Sequence, residues 1–146
     1  MPEVRELLQG ESHLAAAALL ELRPKLGAAT AVVARVDAQR ASGYRLVASF
    51  EPGDGGAAAA VAGFRLAETL AWGRFLYVDD LGTRAALRGR GHADAVMGWP
   101  EEEAGRQGCA ELHLDSGVGS DRADAHRFYF RHRMRITSYH FARDLD

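Results

Sequence analysis

Six consecutive residues, Arg88-Gly89-Arg90-Gly91-His92-Ala93, stand between a run of β-formers and the first turn of a segment with helical spacing. Glycines at such a junction let the backbone approach a ligand closely and adopt conformations that side chains forbid. The N–H groups of a helix start have no intrahelical acceptor, and the helix dipole favours negative charge beside them. With two arginines flanking the turn, the physical expectation is a phosphate-bearing cofactor, and a diphosphate suits the several N–H groups. Other phosphate loops fit worse. No Gly-Lys-Ser/Thr ending is present, as a P-loop requires, and a dinucleotide fingerprint would place glycine where Asp94 stands. Spacing alone also leaves open a plain Gly-rich turn with solvated arginines.

Acidic residues lie just upstream. Asp79 and Asp80 follow the β-forming run Phe75-Leu76-Tyr77-Val78. Strict alternation would put Tyr77, Asp79 and Leu81 on one strand face, and Val78 and Asp80 on the other. Either carboxylate can act as a base, cap a turn or pair with an arginine. The six histidines are scattered without zinc-ligand spacing, so no metal is expected. His126 and His140 read as surface residues of a helix and a strand. Cys109 begins a strand as a small core residue.

Several elements must position these groups. Residues 3–8 suit an edge strand. Ser12 is placed to cap a helix over residues 14–22, which Pro24 ends. Thr30 is placed to cap a second helix over 31–40, with Val32, Val33, Val36 and Ala38 on one side. Residues 44–50 read as a strand, 51–56 as a turn and 57–67 as the returning strand of a hairpin. The run at 75–78 suits a central strand covered on both faces. After the Gly-rich turn, Ala93, Val96, Met97, Pro100 and Ala104 form a buried helical stripe as far as about residue 105. Pro100 is expected to kink or interrupt that helix. Residues 110–115 form a half-polar strand, and 125–129 belong to a helix capped by Asp121 or Asp124. Residues 136–141 are expected as a last strand. A helix joining the strands at 75–79 and 110–115 makes a βαβ unit with parallel strands. The class is α/β, a mixed sheet covered by helices on both faces.

Bulk properties exclude other classes. A chain of 146 residues, 47% hydrophobic and 26% charged, suits one globular domain over 1–146. A net charge of −2, from 18 basic and 20 acidic residues, gives no footprint for nucleic acid. No apolar run is long enough for a bilayer, and the first residues lack a signal-peptide layout. A single cysteine precludes an internal disulfide and suits a reducing compartment. The expectation is a cytoplasmic protein with no membrane partner.

Four ordered blocks resemble the GNAT superfamily of acyltransferases. Residues 88–93 resemble its Arg/Gln-x-x-Gly-x-Gly/Ala signature, and Tyr77-Val78-Asp79-Asp80-Leu81 resembles the central strand leading into it. Leu112-His113-Leu114-Asp115-Ser116-Gly117 resembles the next parallel strand. Asp124-Ala125-His126-Arg127-Phe128-Tyr129 resembles the helix that carries a frequent catalytic tyrosine. The resemblance covers residues from about 43 onward and is weak before that.

The resemblance implies a centrally splayed sheet and acetyl-CoA as co-substrate. Pantetheine would pair with backbone near Leu81 and Thr83, and the diphosphate would sit on amides from Gly89 through Arg90, Gly91, His92 and Ala93 to Asp94, beside Arg88. It implies an N-acetyltransferase in which Tyr129 protonates the departing thiolate and Asp79 accepts the amine proton, with Asp80 or a water relay as alternatives. A non-catalytic acyl-CoA-binding or sensing module is the competing function. Residues 22–30 and the C-terminal strand region would select the amine, and a homodimer is left open. Pro100, Asp94, Gly82 and the Arg133-Met134 pair depart from the family pattern.

Overall fold

The computed structural model describes residues 2–146. Contacts divide the chain into a unit ending at His113 and a second beginning at Leu114. The first contains β1 (Glu3–Leu7), α1 (Ala16–Leu22), α2 (Ala29–Arg40), β2 (Arg45–Phe50), β3 (Ala58–Thr69), β4 (Gly73–Thr83) and α3 (His92–Arg106). β5 (Glu111–Leu114) spans the boundary, and α4 (Ala123–Arg131) belongs to the second unit.

The strands form one open sheet in the order β1-β2-β3-β4-β5, with the first four antiparallel to their neighbours. On one face Leu7, Leu46, Ala48 and Val61 pack against Leu19 of α1 and Val32 and Val36 of α2. On the other, Ala60, Ala62 and Leu81 pack around Val96 of α3. Helices therefore cover both faces, and the expected class is observed. Among the described residues no helix is long and apolar enough to cross a membrane.

Helix α3 is tied down at its far end by charge. Arg45 lies between Glu6 (2.8 Å) and Glu103 (2.7 Å), over the rings of Phe64 and Trp99. Burial pushes the Glu103 carboxyl up, but hydrogen bonds from Arg106, Arg45 and Gln107 outweigh it and hold its pKa below the ordinary value. A buried carboxylate with three donors is the arrangement in which burying charge is tolerable.

Local expectations fail in instructive places. Ser12 caps nothing; its hydroxyl is buried, donating to Asp37 (2.6 Å) and accepting from Arg40. The chain turns through a 3-10 segment there before α1 begins at Ala16. α2 starts two residues ahead of expectation, with Ala28 at the N-cap and Thr30 inside the helix. Asp121 and Asp124 likewise give α4 no side-chain cap, and Arg122 occupies that position. Pro100 does not interrupt α3, which runs on to Arg106. The ring is buried, and its nitrogen has no N–H to donate to the ladder.

The strand expected over 136–141 does not form. Residues 134–146 adopt no regular structure, with Ile136, Tyr139 and Phe141 each more than three-quarters exposed. The segment has strand composition without a ladder partner, and β-propensity expresses itself only on a half-buried pleated surface.

Candidate active site

The glycine-rich turn has the backbone its composition requires. Gly89 and Gly91 lie at φ +78° and +87°, in the left-handed region, and Gly91 is the N-cap of α3. The first helical hydrogen bond runs from Ala95 N–H to the Gly91 carbonyl (3.1 Å). The amides of His92, Ala93 and Asp94 thus precede the ladder, at the positive end of a 15-residue helix. Amides placed this way at a helix start suit an anion.

The side chains around the turn divide their work. Arg88 is exposed. Arg90 pairs with Glu51 at 3.0 Å, and that hydrogen bond is the main reason the Glu51 carboxyl sits below its ordinary pKa. His92 is 2% exposed, so its side chain faces the core and only its backbone is available to a cofactor. Its Nδ1 lies 2.6 Å from Ser49 Oγ on β2, and Nε2 lies 3.4 Å from Glu51. The imidazole is an anchor fixing the turn to the β2–β3 hairpin. A Cβ added at Gly91 would meet no atom within 4 Å, so the main cost of Gly91→Val is conformational, about 1–2 kcal/mol for an L-residue held at left-handed angles. Gly91→Val is expected to fold and to bind acetyl-CoA about tenfold more weakly, a loss of about 1.4 kcal/mol. Calorimetry on the folded variant checks this, and unchanged affinity would remove the anion from this turn.

Leu81 and Thr83 lie toward the end of β4, paired through β3 with Ala62 and Ala60. On the other side of β4, β5 has four residues against eleven and begins level with Arg74, where Ala110 N–H reaches the Arg74 carbonyl. β5 cannot cover the whole edge, which leaves strand length to which an extended amide chain can pair.

A bulge interrupts β4 at the acidic pair. Gly63 is paired with Asp80 and Phe64 with Val78, so Asp79 is the extra residue. Simple alternation therefore fails beyond it. Leu81 faces α3, while Asp80 lines a cavity beside α1 and α2. Asp79 is held by Arg65 Nη2 at 2.6 Å. Burial raises its pKa, the Arg65 guanidinium opposes that rise, and neighbouring Asp80 adds to it. Asp80 accepts from Arg23 Nε (3.0 Å) and from the Tyr44 hydroxyl (2.8 Å). Tyr44 crosses the sheet over Gly63, where a Cβ would stand 1.7 Å from its oxygen. Burial and the Asp80 charge hold the Tyr44 phenol far above its ordinary pKa, so it stays a donor.

The cavity has a volume of about 480 Å³. Its wall includes Leu22, Arg23, Pro24, Lys25 and Leu26, within the segment expected to select the amine. Asp79 is not among its lining residues.

Tyr129 belongs to the second unit. It is half-buried, with Phe128 edge-on to its ring at 5.7 Å. Burial raises its pKa, against the charge of Arg122 and a hydrogen bond with it. His126 bonds the Gly117 carbonyl (2.8 Å) and Ser116 (3.1 Å), bracing the loop before α4, and His140 lies 3.5 Å from Asp115.

A model of the acetyltransferase (GNAT) family matches residues 13–133. The chain belongs to the GNAT acetyltransferases. It is accordingly an acyltransferase, and solved structures share the GNAT fold across its whole length. The ribosomal-protein-alanine N-acetyltransferase of Brucella melitensis biovar Abortus 2308 superposes with a TM-score of 0.81 at 15% identity, covering 98% of this chain and 99% of that one. An aminoglycoside N-acetyltransferase solved in complex with CoA gives 0.79 at 13%, covering 99% and 95%. Glucosamine-6-phosphate N-acetyltransferase from Arabidopsis thaliana gives 0.74 at 18%, covering 100% and 99%. No curated protein matches the sequence.

Within this GNAT domain, sequence reasoning missed Tyr44, Arg23 and Arg65. No motif marks them. A tyrosine directly after a glycine at a strand start was the only signal, and its partner lies 36 residues away.

Proposed function

We propose that this GNAT domain is a cytoplasmic N-acetyltransferase that moves the acetyl group of acetyl-CoA onto a primary amine of a small molecule or peptide. The family match over residues 13–133 is the observation that carries this reading. The unpaired Cys109 supports a reducing compartment. The amides from Gly89 to Asp94 hold the diphosphate, with Arg88 and Arg90 beside them, and the β4 edge at Leu81 and Thr83 pairs with the pantetheine.

Three tasks then fall to the chain. An alkylammonium has a pKa of about 10.4, so the acceptor must lose a proton before it attacks. Asp79 takes that proton, directly or through water; its raised pKa makes it a stronger base than a solvated carboxylate. A backbone N–H near Leu81 stabilises the oxygen as the C–N bond forms. When the C–S bond breaks, Tyr129 gives its proton to the thiolate.

A free-thiol assay with amines, amino acids, peptides and aminoglycosides tests the whole reading. Acetyl-CoA binding without turnover on any acceptor would make the domain a sensing module instead. Asp79 must be ionised to work, so rate is lost as pH falls through its raised pKa. Asp79→Asn is expected to lower kcat/KM by about 10²-fold or more and to remove that limb once the amine's own titration is subtracted. An intact pH profile would move the base to Asp80 or to water.

A further inference from the structure

The cavity between α1, α2 and the sheet has a charge pattern that neither the fold nor the chemistry of acetyl transfer requires. Its polar lining comprises three cations, Arg23, Lys25 and Arg35, and one carboxylate, Asp80, apart from the amide of Gln39 and the Tyr44 hydroxyl. Arg23 is spent on Asp80, at 3.0 Å. Lys25 and Arg35 form no ion pair among the described residues, although the chain as a whole carries a net charge of −2. Three arginines close to the sheet do find acids: Arg45 has Glu6, Arg65 has Asp79 and Arg90 has Glu51. Lys25 is also the only lysine in the sequence. Two uncompensated cations therefore converge on one concavity of a protein with surplus carboxylate.

The rest of the lining is apolar, including Leu19, Leu22, Leu26, Val32 and Val36. A volume of about 480 Å³ falls within the range of small-molecule sites, roughly 300–1,000 Å³. An occupant complementary to the cavity has an apolar body for the leucines and valines and an anion for Lys25 and Arg35, with its amine toward Asp80, the residue next to the proposed base Asp79.

We infer that the acceptor is a carboxylate-bearing amine with an apolar body, of the size of an apolar dipeptide, seated with its carboxylate on Lys25 and Arg35. This rests on the acetyltransferase reading above and narrows its substrate class. Lysine and arginine at the mouth act as positioning residues, since they touch the end of the acceptor remote from the reacting nitrogen. Arg35 on α2 and Lys25 in the turn before it are both exposed, so their replacement leaves the fold intact.

The test compares leucyl-leucine with leucyl-leucinamide, whose amines lie far from the altered terminus and so have nearly matched basicity. With the wild-type enzyme the free acid is expected to show a KM about tenfold below that of the amide, as for one charge-assisted contact. Lys25→Gln/Arg35→Gln should raise KM for the acid about tenfold or more, with kcat and the amide's KM unchanged. Equal use of acid and amide by an active enzyme overturns the inference and leaves acetyl transfer standing. Calorimetry with leucyl-leucine gives a second readout independent of turnover. Binding of the acid that is lost in the double variant supports the assignment. Failure of the wild-type protein to bind it, in a preparation that binds acetyl-CoA, also overturns it.

Discussion

Tyr129→Phe is expected to lower turnover by roughly 10²–10⁴-fold while leaving acetyl-CoA affinity unchanged. The substitution keeps the ring, so its edge-on contact with Phe128 persists. What goes is one hydroxyl and its hydrogen bond with Arg122. Burial raises the phenol's pKa, so the acid form is present throughout the neutral range and is lost only on the alkaline side. A rate that depends on this proton should therefore fall in the variant at every pH below that limb. Full turnover with a confirmed acceptor would make the tyrosine a packing residue and leave water to protonate the thiolate. A second replacement, Asp79→Asn, should not multiply with the first if both groups serve one transition state.

Gly63→Ala should be the most damaging single methyl in the first unit. The added carbon would sit 1.7 Å from the Tyr44 oxygen and 2.3 Å from Cζ, far inside contact distance. Gly63 lies in a central strand opposite the β4 bulge, where neither strand can shift without its neighbours. Tyr44 must then leave. Overpacking of a closed core costs about 1–3 kcal/mol. A phenol and a carboxylate that lose each other while still largely buried add about 1–3 kcal/mol more. The melting temperature should drop accordingly, and KM for the acceptor should rise because Asp80 loses its donor. Combining the change with Tyr44→Ala should cost less than the two changes separately, since the clash disappears with the ring. A Gly63→Ala protein of wild-type stability would mean that Tyr44 has a second place to go.

These two residues differ in how far the sequence reveals them. Tyr129 sits in a block whose order along the chain carries the family resemblance, so it is a candidate without coordinates. Tyr44 was not. Its importance comes from a glycine on the next strand and a carboxylate on the one after, which no periodicity links. The bulge at Asp79 was hidden for a related reason. Two residues facing one leave no trace in a period-2 pattern, so Tyr77 and Asp80 were assigned to opposite faces. The Gly-rich turn was readable because a left-handed backbone demands glycine at Gly89 and Gly91. The side chain of His92 was not legible, because its partner Ser49, 2.6 Å away, lies on another strand that no motif links to the turn. Ser12 and Thr30 were good capping residues used for other purposes. At the C-terminus composition promised a strand, but a strand exists only where a neighbour offers hydrogen bonds.

β3 carries one further lesson. Ala58, Ala59, Ala60, Val61 and Ala62 are completely inaccessible, and they meet helices through little more than methyl groups. The helices consequently rest almost directly on the backbone of the sheet. Mutational drift along this strand is one-sided: a step down in size leaves a small void, whereas a step up has to lift a helix. Descendants of this sequence can rewrite the outward faces of α2 and α3 freely, yet their third strand should stay poor in large side chains, like a hinge pin that any thicker part would jam.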